Sequence, residues 1–182
     1  MTSEATRAIG QAAPRADGLG KATGASTFTA DVLLPDALWA KTLRSPHRHA
    51  RIVRIDVSRA KAMPGVHAVL TGHDVPATLF GRRIKDLPVL AQGVVRHIGE
   101  QVAAVAANDI ETAERALELI DVEYEELPYV LDPFEAMEPR AVLVHPLVHT
   151  YGGLPTPLDG PTNEFVRNEW SKGDVVSGFA EA

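Results

Sequence analysis

The sequence predicts an α+β domain in which a small mixed β-sheet of short strands carries two or three helices, followed by an irregular C-terminal tail. Three observations carry that expectation. Short β-branched or apolar segments recur between Gly and Pro punctuation from Ala25 to about Val144. One stretch, residues 110–120, repeats apolar side chains at helical spacing. The chain is 182 residues long and 45% apolar, enough for one domain burying about 70% of its unfolded surface.

Residues 1–17 lack periodicity and read as a mobile N-terminal extension. Residues 27–30 and 38–43 read as strands between Gly24, Pro35 and Pro46. Residues 50–55, Ala-Arg-Ile-Val-Arg-Ile, read as a strand with Arg51 and Arg54 facing water. Asp56 then caps a helix over 57–63 that Pro64-Gly65 stops, and 66–71 returns as a strand. Residues 74–93 are broken by Pro76, Gly81, Pro88 and Gly93 and charged by Arg82, Arg83, Lys85 and Asp86, the signature of a long surface loop. Strands follow at 94–98 and 102–107. The second, Val-Ala-Ala-Val-Ala-Ala, is apolar on both faces, so it belongs at the centre of a sheet. The helix over 110–120 starts at Asn108 as N-cap and buries Ile110, Ala113, Leu117 and Ile120. Residues 121–126 form a half-buried strand with Val122 and Tyr124 inward, Asp132-Pro133 opens a short helix, and 141–144 make a last strand. Residues 146–182 have no sustained period and either wrap another surface or stay mobile, and the chain's end inside an apparent element suggests one piece of a larger body.

Composition narrows the function. Eighteen basic against 24 acidic side chains argue against nucleic acid as a partner. No membrane partner is expected either, because the longest apolar run, residues 102–107, falls far short of the ~20 residues that span a bilayer. The first seventeen residues show no apolar export core, which leaves a cytoplasmic setting as the expectation. Cysteine is absent, so no disulfide, thiolate-held metal or thiol nucleophile resides here. His47 and His49 share one side of an extended stretch, but Arg44, Arg48 and Arg51 crowd it; imidazoles bonded to backbone are expected there, not a metal. His145 and His149 are separated by Pro146, which disfavours the helix that would align them. His97, inside an expected strand, reads as a core or partly buried residue. Glu123 and Glu125 read as a solvated strand edge. The basic run Arg82-Arg83-Ile84-Lys85 is suited to guide an anion or merely to solvate its loop. No phosphate loop, nucleophile triad or dinucleotide fingerprint is present. These residues describe a docking or scaffold domain, with no catalytic, cofactor-binding or metal-ligating residue of its own.

An ordered series of motifs carries a resemblance. It begins at Gly20-Lys21-Ala22-Thr23-Gly24 and Phe28-Thr29-Ala30-Asp31, and continues through Leu43-Arg44-Ser45-Pro46-His47 and His49-Ala50-Arg51-Ile52. Pro64-Gly65-Val66, Leu70-Thr71-Gly72, Val95-Arg96 with Gly99-Glu100, Tyr124-Glu125 with Leu127-Pro128, and Gly173-Asp174-Val175 complete it. In order and spacing the set resembles the N-terminal α/β hammerhead domain of molybdenum hydroxylase large subunits: xanthine dehydrogenases, aldehyde oxidases, CO dehydrogenases and hydroxybenzoyl-CoA reductases. The resemblance implies a small mixed sheet with a protruding β segment over residues 18–145, and a segment 146–182 leading towards molybdopterin-binding domains. It implies an oxidoreductase that hydroxylates an electron-poor carbon of a small-molecule substrate at a molybdenum (molybdopterin) centre, with iron–sulfur clusters and FAD on partner subunits. This segment would pack on the cofactor domains and be inactive alone. The family's cofactor-contacting Gln and its base Glu have no counterpart here. Counting from Pro76 to Gly99 places Arg83 and Ile84 where the xanthine dehydrogenases carry an apolar pair lining the substrate funnel. The alternative is a free-standing binding module that reuses the fold without redox activity.

Overall fold

The computed structural model describes residues 12, 14–32 and 34–182, and the chain divides into two units, 1–37 and 38–182. The extension expected over 1–17 lies mostly outside the described residues. In the first unit, helix α1 (Gly18–Ala22) carries an ion pair from Lys21 back to Asp17 at 2.5 Å. A 3-10 turn (Thr29–Asp31) stands where a strand was expected. The Asp31 carboxylate accepts the Phe28 N–H at 2.8 Å, a local bond that replaces the one a neighbouring strand would supply.

The second unit holds β1 (Trp39–Arg44), β2 (Ala50–Asp56), α2 (Ser58–Lys61), β3 (Val66–Thr71), β4 (Val94–Val95), β5 (Gln101–Ala107), α3 (Ile110–Leu117), β6 (Asp121–Glu126), α4 (Pro133–Ala136) and α5 (Val175–Glu181). The α+β class holds, and the strands divide into two three-stranded sheets, β1-β5-β3 and β4-β2-β6, whose ladders are antiparallel. As its composition demands, β5 is central. Its side chains alternate: Ala103, Val105 and Ala107 enter one core cluster with Ala113 and Ala116 of α3, while Val102 enters a second with Ala50, Ala91 and Val95. Alanine on both β5 and α3 lets helix and sheet approach closely. Ile55 and Val122 pack against both clusters. Among the described residues, no helix is long and apolar enough to cross a membrane.

Several expectations shift at the edges. The N-cap of α3 is Asp109, not Asn108: its carboxylate takes the Thr112 N–H at 2.7 Å and the Thr112 hydroxyl at 2.8 Å. Asn108 is occupied elsewhere, its Oδ1 lying 2.6 Å from His67 Nε2. The helix ends at Leu117, and α2 is a single turn inside the expected 57–63. Strand β4 stops at Val95, so His97 is exposed rather than core. The cause is the buried Glu100 carboxylate, which accepts the Arg96 N–H at 2.5 Å, while Gly99 turns the chain at φ +89°. No strand forms at 141–144. The Asn163 side chain takes its backbone instead, accepting from Val144 N–H at 3.0 Å and donating to the Val142 carbonyl at 2.8 Å and the Ala136 carbonyl at 3.0 Å.

Candidate functional site

Two of the sequence motifs meet in space. Ser45, at the end of β1, is buried; its N–H donates to the Glu100 carbonyl and its carbonyl accepts from Gly99 N–H, each at 2.8 Å. Arg44 Nη1 reaches the Gly99 carbonyl at 2.8 Å. The Ser45 hydroxyl also accepts the His47 N–H at 3.1 Å, turning the chain at Pro46. Leu43-Arg44-Ser45-Pro46-His47 and Val95-Arg96…Gly99-Glu100 are thus two sides of one corner.

The histidines of this corner are spoken for. His47 Nδ1 lies 3.1 Å from Glu126, its ring 4.7 Å from that of Tyr124, and His49 Nδ1 lies 2.5 Å from the Pro128 carbonyl. Glu123 and Glu125 lie exposed on β6, an edge strand. Cross-strand arginines answer the neighbouring acids: Arg54 reaches Asp121 at 3.1 Å and Arg51 reaches Glu125 at 3.5 Å. Among the described residues, no three His, Asp or Glu side chains converge on a metal-sized point, and cysteine is absent. This donor set does not fit a molybdenum or iron–sulfur centre, and no catalytic step is assigned to it.

The charged loop is tied down at both ends of its excursion. Phe80 and Leu87 exchange backbone bonds at 2.8 and 2.9 Å, and Lys85 N–H donates to the Gly152 carbonyl at 2.8 Å. Gly153, at φ +82°, lies so close beneath the Arg83 carbonyl that a Cβ there would collide with it. Arg83 itself is exposed. Ile84 is half-buried and lines a hollow of about 340 Å³ with His145, Tyr151, Asn163 and Phe165. Arg83 and Ile84 therefore divide: one side chain meets solvent and the other a cavity. In that cavity His145 Nδ1 is 3.2 Å from the Tyr151 hydroxyl. Burial, then the Arg96 cation, holds the His145 imidazole below the ordinary histidine value. Val144 separates this hollow from a second, of about 470 Å³, lined by Arg48, Arg96, Tyr129 and Leu131 among others. The roles of Tyr129 and Asn163 escaped sequence reasoning. Asn163 sits in a Pro- and Gly-rich stretch without period, and only an Asn flanked by Thr162 hinted at local side-chain bonding.

Two short antiparallel sheets, one built on the alanine-rich β5 and the other on β2, with a tethered loop between β3 and β4, define a hammerhead-type domain. The family described as aldehyde oxidase and xanthine dehydrogenase, a/b hammerhead domain, matches residues 23–128, and the chain belongs to that family. Among its relatives is a probable xanthine dehydrogenase subunit of Bacillus subtilis (strain 168), 43% identical over 91% of this chain and 20% of the relative. The nicotinate dehydrogenase large molybdopterin subunit of Eubacterium barkeri is 39% identical over 95% of this chain and 38% of its own. Among solved structures, quinoline 2-oxidoreductase from Pseudomonas putida 86 superposes with a TM-score of 0.65 at 42% identity, over 73% of this chain and 18% of that one. The chain thus spans between a fifth and two fifths of the length of these curated relatives. The resemblance carried by the ordered motifs is borne out.

Proposed function

We propose that this chain is the hammerhead segment of a cytoplasmic molybdenum hydroxylase, residues 18–145 forming the domain and 146–182 leading to a molybdopterin-binding part of the same enzyme. Its task is mechanical. It packs on the cofactor-bearing part and forms one wall of the substrate entrance with the loop that bears Arg83 and Ile84. Molybdopterin, supported by the likeness to a large molybdopterin subunit, supplies the redox chemistry; iron–sulfur and FAD groups belong to partner subunits.

One observation carries this reading. A chain similar to such a subunit over nearly its whole length leaves Trp170 at 94%, Phe179 at 82% and Phe134 at 79% exposure, apolar surface that suits a covering partner. The test is purification from the native host followed by molybdenum analysis. Recovery in stoichiometric complex with a molybdopterin-bearing polypeptide, or as part of one, is expected. A partnerless, molybdenum-free protein would instead be a free-standing binding module. In the assembled enzyme, Arg83→Ala is expected to raise substrate KM several-fold with little change in kcat, since removing a positioning contact weakens ground-state and transition-state binding alike, about 1 kcal/mol for severalfold. Unchanged KM and specificity would remove the loop from the entrance.

A further inference from the structure

The hollow of about 470 Å³ differs in charge from the chain around it. The protein is net acidic, with 24 carboxylates against 18 basic side chains, yet among the described residues the ionisable ones lining this hollow are Arg48, His49, Arg96, His97 and Tyr129, with no Asp or Glu. The carboxylates of adjoining turns are already engaged, Glu100 by the Arg96 N–H and Glu126 by His47. Arg48 spends its guanidinium on neutral partners, donating to the Tyr129 hydroxyl at 2.9 Å and lying 5.0 Å from the centre of that ring. Ile98, Leu131, Val142 and Val144 supply apolar lining to the same hollow. Leu131 is 70% exposed and Ile98 60%, so the rim as well as the floor is greasy.

From this we infer that the hollow seats a segment of the molybdopterin-bearing part of the enzyme, one whose carboxylate lies between apolar side chains. Two guanidiniums without a carboxylate partner among the described residues, set in an apolar trough, are complementary to that chemistry, because each gains a charge-assisted bond when the trough is closed to water. Val144 lines this trough on one side and the Ile84 hollow on the other, so an occupant here braces the wall of the proposed entrance. The inference rests on the assembly proposed above and goes further in naming the surface and the chemistry that fits it.

The test uses the assembled enzyme. With p-benzoylphenylalanine in place of Leu131, irradiation and peptide mapping are expected to find a link to a segment of the molybdopterin-bearing part carrying Asp or Glu within three or so residues of the linked position, about one extended turn's reach. Arg96→Glu is expected to reduce the yield of assembled complex about tenfold at low salt, with the deficit shrinking at high salt, while Arg96→Lys assembles as the parent does. Far-UV circular dichroism of each variant distinguishes lost docking from lost folding. A link to a basic or carboxylate-free segment, or no link in a complex that still holds molybdenum, overturns the inference while leaving the assembly intact. Failure to recover any molybdopterin-bearing partner overturns the assembly itself.

Discussion

At the residue scale, His145 is the group whose environment departs furthest from what its surroundings in sequence suggest. Pro146 beside it forecasts only that it will not pair with His149 on a helix. The fold places it half-buried against Tyr151, where desolvation first and the Arg96 cation second disfavour its charged form, with Asp86 and Glu100 opposing and His97 adding to the cation. Because its pKa is depressed in the folded state, the unfolded chain binds more protons as pH falls. The contribution to stability is therefore whole above 6.5, the ordinary value, and is lost as pH drops through the folded one. Thermal melts at pH 7.5 and 5.5 are expected to show a lower Tm in acid, and His145→Gln to show a smaller difference. An equal difference in both would assign the acid sensitivity to other groups. None of this is legible in a linear reading, since the titrating ring with its hydroxyl partner and the surrounding charges come from three separate stretches, around residues 86, 96–100 and 145–151.

Elements are where the sequence is most readable, and the misses have a common cause. β5 is legible because a two-sided apolar run has one stable place in a sheet, and β6 because its acids alternate with Val122 and Tyr124. In the lost strands at 27–30 and 141–144 a side chain takes backbone groups that a neighbouring strand would otherwise pair, Asp31 in one case and Asn163 in the other; propensity carries no trace of such substitutes. The loop between β3 and β4 is readable as a loop but not as a tethered one. Its anchor is Gly153, whose positive φ and contact beneath the Arg83 carbonyl leave no room for a side chain. Gly153→Ala is expected to cost about 1–3 kcal/mol through a strained backbone and a displaced loop, read as a lower denaturant midpoint together with faster proteolysis at residues 80–87. An unchanged midpoint with protected loop amides would show that the contact is incidental.

At the scale of the whole chain, family and fold class follow from ordered motifs, whereas the exposed apolar surfaces do not. The motifs lie in turns and strand ends such as Ser45-Pro46 and Gly99-Glu100, which set the frame, while Leu131 and Trp170 sit in unpatterned segments whose exposure emerges only in three dimensions. Ile55 and Val122, shared between the two apolar clusters, tie the sheets thermodynamically as well as sterically. Neither sheet can melt without stripping neighbours from the other, so residues 38–182 are expected to unfold in one all-or-none event. Shortening the tie with Ile55→Ala is expected to split hydrogen exchange into two classes, β2, β4 and β6 opening at lower free energy than β1, β3 and β5. A single uniform loss of protection across all six strands would locate the coupling elsewhere. With two side chains serving both apolar clusters, such mutual dependence means that damage at either sheet is felt at both.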